Sequence, residues 1–183
     1  MSRSLRLAIM GLVLVLPAAA IADQEPVVGG HVMHATKDVT RNMDNSDDHT
    51  TFTRALRQAR LMRALTDYGP FTIFAPTNEA FAALPAGTMD TLMKDDARDQ
   101  LNHILQYHVV RGDYDLAKLA QMAKDGGGTA TLPTMQGDKL TIVANKDGSV
   151  SIKDAKGGIA KITIPDIKCE NGRFDVIDKV LMP

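Results

Sequence analysis

Phe71-Thr72-Ile73-Phe74-Ala75-Pro76-Thr77-Asn78-Glu79-Ala80-Phe81 decides the fold, because it joins a buried strand to a capped helix within eleven residues. Phe71, Ile73 and Phe74 favour a pleated, buried strand. Pro76 cannot donate to a ladder, and Thr77 can cap a helix whose first turn carries Glu79, a carboxylate favoured by the helix dipole. Ala80, Phe81 and Leu84 then recur at helical spacing. The chain is predicted to turn sharply at Pro76.

Working outward on the N-terminal side, Phe52, Ala55, Leu56 and Ala59 form an apolar stripe after the capping cluster Ser46-Asp47-Asp48, and Leu61, Met62 and Leu65 continue it in a second short helix. Val39 and Met43 give an earlier helical pair. On the C-terminal side, Thr88 and Asp95-Asp96 can start helices, the second placing Leu101, Ile104 and Leu105 inward. Asp115 starts a last one with Leu116, Leu119 and Met122, which Gly126-Gly127-Gly128 stops. Beyond it the period changes to two. Leu140, Ile142 and Ala144 alternate before Lys146-Asp147-Gly148, Val150 and Ile152 after it, and Ala160, Ile162 and Ile164 give a third alternation. Asn171-Gly172 suits a type I′ turn closing Ile167–Cys169 on Phe174–Ile177. Helices first and hairpins last predict an α+β fold.

Two further signatures accompany the first: Tyr107-His108-Val109-Val110, and Asn171-Gly172-Arg173-Phe174-Asp175-Val176-Ile177-Asp178 near the end of the chain. In this order the three resemble a fasciclin-type (FAS1) domain, from about Met33 onward. The resemblance implies a β-sheet wedge with several helices packed around it, one domain over 34–183, and a non-enzymatic protein of cell adhesion or cell-surface and extracellular-matrix interaction. No internal repeat is visible, so a single domain is expected.

Residues 1–22 have a basic start at Arg3 and Arg6, an apolar run from Leu7 to Leu16 and a small-residue end at Ala20-Ile21-Ala22, the pattern of a secretory signal peptide cleaved after Ala22. Pro17 interrupts a run already short for a membrane span, so no stable anchor is expected. A secreted, extracellular or periplasmic location follows. Residues 23–33, with Pro26 and Gly29-Gly30, read as a flexible leader dispensable for folding. The formal charge of -1 over 183 residues, with no dense basic stripe, excludes nucleic acid as an expected partner. Cys169 is the only cysteine, so no intramolecular disulfide can form, and it reads as a small buried strand residue.

Candidate recognition residues are Tyr107, His108, Arg111, Gly112 and Asp113. The resemblance implies an adhesion role for the Tyr107-His108 pair, although a histidine beside Val109-Val110 fits a core residue with satisfied ring nitrogens. Arg111-Gly112-Asp113 is the integrin-recognition tripeptide and equally an ordinary strand-to-helix turn. Ile164-Pro165-Asp166-Ile167 partly resembles an adhesion peptide of animal relatives, with different outer residues, and Pro165 reads as opening an edge strand. Asp175 stands where many bacterial relatives carry a histidine. His31, His34 and His49, with Met33 as a possible soft ligand, lack a completing ligand, and the histidines read as surface residues, so no metal or cofactor is expected. No nucleophile elbow, zincin helix or phosphate loop is present, and no enzyme activity is expected. Expected partners are cell-surface or matrix macromolecules or envelope proteins, bound by a monomer. The alternative is a periplasmic small-molecule or lipid carrier, with Met89, Met93 and Met122 adapting a pocket between sheet and helices.

Overall fold

The computed structural model describes residues 25–183, so the leader peptide and its cleavage point after Ala22 lie outside the described residues. The described chain opens with a small hairpin, β1 (Val27–Val28) and β2 (His31–Val32), followed by α1 (Val39–Asp44), a 3-10 turn, α2 (Thr50–Gln58) and α3 (Met62–Asp67). Strand β3 (Phe71–Pro76) leads to α4 (Asn78–Ala82), α5 (Thr88–Leu92), α6 (Arg98–Tyr107), β4 (Val109–Arg111) and α7 (Leu116–Asp125). The remainder is strand: β5 (Thr129–Pro133), β6 (Lys139–Ala144), β7 (Val150–Lys153), β8 (Ile159–Cys169) and β9 (Gly172–Ile177).

The opening stretch behaves as its residue types require. All six residues of β3 are buried. Phe71, Ile73 and Ala75 enter one core and Phe74 the other, so the strand has no solvent face and reads as an unbroken apolar run. Thr77 caps α4, its hydroxyl accepting from the Ala80 amide at 3.2 Å. Asp115 caps α7 in the same way, accepting from Lys118 at 2.7 Å.

β3 runs parallel to β9, and the sheet order is β4-β3-β9-β8-β7-β6-β5. The chain's last strand therefore sits at the sheet's heart. The two edges meet: Val110 bridges Thr134 just past β5, and the Met135 amide donates to the Val109 carbonyl at 2.7 Å. Edge groups that would otherwise be unpaired are thus partly satisfied, giving an α+β wedge that is nearly a barrel. One core packs β3, β9 and the end of β8 against α1 to α6, around Phe52, Phe71 and Phe174. The other fills the wedge with residues from all seven strands and is capped by Leu119 and Ala123 of α7.

Three sequence expectations need correction. Residues 27–33 are not a loose leader: Val28 is 1% and Met33 0% exposed, and the Asp47 amide donates to the Gly29 carbonyl at 3.3 Å. The Asn171-Gly172 turn is not type I′. Cys169 pairs with Gly172, so the turn residues are Glu170 and Asn171, and neither has positive φ. Gly172 is required for another reason, since at φ 141° a Cβ there would lie 2.0 Å from the Phe71 carbonyl oxygen. Pro165 does not open a strand. It falls inside β8 between the register shifts at Ile164 and Ile167, a bulge at which Asp166 adopts φ 61°.

Candidate functional site

Tyr107 ends α6 and His108 is its C-cap, so both side chains are delivered to the junction of helix and sheet. Each is 0% exposed. His108 Nδ1 lies 2.9 Å from the Ile104 carbonyl, and Nε2 accepts from the Leu181 amide at 2.9 Å. That pairing fixes the tautomer, with Nδ1 donating and Nε2 accepting. Burial pushes the imidazole down to about 4, so the ring is neutral at pH 7. Tyr107 donates to the Lys139 carbonyl at 3.1 Å and accepts from the Ala155 amide at 3.0 Å. The pair ties α6 to the start of β6, the β7–β8 loop and the C-terminal segment, and presents nothing at the surface.

Arg111, Gly112 and Asp113 form the corner between β4 and α7, with Arg111 and Asp113 exposed. The backbone of this corner is held closely. The Gly112 amide donates to the Pro70 carbonyl at 2.8 Å. Thr72 donates its hydroxyl to the Gly112 carbonyl at 2.8 Å and accepts from the Tyr114 amide at 2.9 Å. Gly112 sits at φ 113°, and a Cβ there would meet the Tyr114 ring at 2.7 Å, so the turn requires glycine.

The Asp113 carboxylate is not free. It pairs with Arg173 Nε, while Arg173 Nη1 reaches Asp166 Oδ1 at 2.8 Å. The Arg173 hydrogen bond holds Asp113 below the usual carboxylate range. Asp166 also accepts from the Leu116 amide at 2.9 Å, so one carboxylate links the β8 bulge to the first turn of α7. Behind it lies Asp175, 0% exposed, accepting from the Asp166 amide at 2.7 Å through one oxygen. Its other oxygen has no hydrogen-bond partner among the described residues, and burial raises the carboxyl to about 7. Sequence reading singled out Asp113 and Asp175 but missed the guanidinium that pairs with Asp113 and with Asp166, whose amide Asp175 holds. The signal was available in part: Arg173 and Asp175 alternate on one face of β9.

The four metal-ligand suspects do not converge. His31 faces Asp47 at 3.4 Å, His34 meets Glu25 at 2.7 Å, Met33 is buried, and His49 is buried against Phe174 with Nδ1 2.8 Å from Ser46 Oγ. His49 is therefore not the surface residue expected. Between the sheet and helices α1 to α6 lies the core built around Phe52, Phe71 and Phe174. Met89 lines a cavity of about 300 Å³ beside Phe81 and Leu84, while Met93 and Met122 pack against the cores.

This architecture is a seven-stranded α+β wedge with helices packed around it. The family model for the fasciclin domain matches residues 47–183, and the chain belongs to that family. It is 35% identical over 181 residues to protein sll1483 of Synechocystis, covering 96% of this chain and 93% of the relative. It is 34% identical over 171 residues to the cell surface glycolipoprotein MPB83 of Mycobacterium bovis, covering 90% and 70% of the two chains. A solved FAS1 domain pair from the insect cell adhesion molecule fasciclin I superposes with a TM-score of 0.72 at 20% identity, covering 80% of this chain and 51% of that one. No helix among the described residues is long and apolar enough to cross a membrane.

Proposed function

We propose that this chain is an exported, non-enzymatic fasciclin-domain protein that mediates adhesion by contacting cell-surface, matrix or envelope macromolecules. The observation that carries the reading is membership of a family whose relatives include a cell surface glycolipoprotein and whose fold is that of an insect cell adhesion molecule. The polar pattern is consistent with it. The buried Tyr107-His108 pair holds the scaffold, and contact with partners falls to exposed loops on rigid strands. Export rests on the leader pattern of residues 1–22.

Attachment of the producing organism's cells, and separately of animal cells, to a surface coated with the purified protein tests this reading. Saturable attachment above an uncoated control is the expected result. Its absence with demonstrably folded protein would overturn the adhesive function. An Asp113→Ala variant reports on the corner: in the structure that carboxylate is engaged by Arg173, so partner binding there must displace an internal ion pair.

A further inference from the structure

A cavity of about 620 Å³ is lined by the β6–β7 loop together with β7 and β8, and includes none of the corner residues described above. Ser151 pairs directly with Lys161, and Lys153 with Ile159, so these side chains share the face opposite Ile152 and Ala160, which enter the wedge core. The β6–β7 loop folds over this face. Asn145 donates through Nδ2 to Ser149 Oγ at 2.9 Å and to Ser151 Oγ at 2.8 Å, which fixes the orientation of its amide. Ser149 commits its proton to Asp147 at 2.7 Å.

Two directional groups are left over in this arrangement. The Ser151 hydroxyl belongs to a residue 4% exposed and accepts from Asn145, yet its proton has no acceptor among the described residues. Asn145 Oδ1 has no donor among them. Around this donor and acceptor stand Lys146 and Lys161, neither of which forms an ion pair among the described residues, and Ile159, an apolar side chain 48% exposed.

This combination selects among ligand classes. A fixed acceptor beside a fixed donor complements a sugar hydroxyl, which both gives and takes a hydrogen bond. Two unpaired ammonium groups complement a carboxylate, and exposed Ile159 offers an apolar contact to the C–H face of a pyranose ring. Inorganic phosphate fits poorly: at neutral pH it is chiefly an acceptor and would leave Asn145 Oδ1 unserved. No aromatic ring lines the cavity to stack a nucleobase. We propose that this depression binds uronic-acid units of an acidic polysaccharide. The proposal gives a ligand class to the surface-contact reading above and rests on that reading.

Calorimetric titration of the purified protein with tetragalacturonate, combined with amide chemical-shift mapping, tests it. Maltotetraose, monomeric galacturonate and inorganic phosphate are the controls. Saturable binding of tetragalacturonate alone is expected, with shifts centred on Ser149–Ser151 and Ile159–Lys161. Lys161→Gln should weaken it about tenfold, the loss of one charge-assisted hydrogen bond, while Lys161→Arg retains most of it. Ser151→Ala should weaken it several-fold, provided its chemical-shift spectrum remains that of the folded protein. Unchanged binding by the Lys146→Gln, Lys161→Gln double variant, equal competition by phosphate, or shifts elsewhere would overturn the site. Equal affinity for the monomer would overturn the polymer as its source. Cell attachment without tetragalacturonate binding would remove this site while sparing adhesion, and binding without attachment would do the reverse.

Discussion

His108 and Asp175 are both fully buried, and burial moves their titrations in opposite thermodynamic senses. His108 binds its proton at about 4 in the folded chain and near 6.5 unfolded, so between those values the unfolded state holds more protons and stability rises with pH. The separation corresponds to about 3 kcal/mol, present above pH 6.5 and lost as pH falls toward 4. Asp175 binds at about 7 folded and near 3.8 unfolded, so here the folded state holds more protons and stability falls as pH rises through 7. That term is about 4 kcal/mol, and over most of the same window it offsets the first. Asp175→Asn removes the opposing term while keeping the shape of the protonated side chain. The variant should match the parent near pH 4 and exceed it increasingly up to pH 7.5, by about 4 kcal/mol if Asp166, Arg173 and Asp113 around it are undisturbed. Urea unfolding of both proteins across this range measures the difference directly. A difference independent of pH would refute the reasoning, because it would mean that Asp175 titrates alike in both states.

Four further outcomes follow from the packing. Asn171→Ala removes an acceptor for the Val39 amide at 3.0 Å and a donor to the Leu65 carbonyl at 2.7 Å, so urea unfolding should show a loss of about 2–4 kcal/mol. Gly172→Ala forces a Cβ against the Phe71 carbonyl at a strained φ and should destabilise by more than about 2 kcal/mol, seen as a lowered thermal midpoint. Tyr107→Phe strands the Ala155 amide and should cost about 1–3 kcal/mol in the same assay, without altering the fold by circular dichroism. Removing residues up to Met33 exposes the surfaces that Val28 and Met33 cover and should cost about 3–6 kcal/mol in urea unfolding, where a dispensable leader would cost nothing.

The fold was legible wherever one strand or helix carried its own signal. The β3-to-α4 junction, the stripe of α2 and the hairpin around Lys146-Asp147-Gly148 each combine a clear period with local capping or turn chemistry. What escaped was set by partners distant in sequence. The β1–β2 strands have two residues each, too few to show alternation, and Val28 and Met33 are buried by elements that come later. Asn171-Gly172 resembled a hairpin dipeptide, yet the asparagine is used to bind Leu65 and Val39, and the glycine to let Phe71 approach. Nothing near Asp113 in sequence announces Arg173, sixty residues away, as its partner. His108 was read from its apolar neighbours as a candidate core residue. That local cue could not show that its second nitrogen would accept from Leu181, almost at the end of the chain.

The same long-range bonding explains why the exposed corner is rigid rather than a freely moving recognition loop. Its backbone is fixed by Thr72 and Pro70 on β3 and its approach, and its carboxylate by Arg173 on β9. Arg173 also holds Asp166, which anchors α7 through the Leu116 amide. Arg173→Met should therefore release two tethers together. Asp113 would lose its partner while Asp166 kept its bond to Leu116, so α7 should stay docked as the corner loosens. Hydrogen exchange resolves the two: faster exchange at Gly112–Tyr114, with Leu119–Ala123 protected as before, is the expected pattern. Loss of protection along the whole of α7 would instead make the guanidinium the helix's principal anchor, and would mean that Asp166 depends on it for its position.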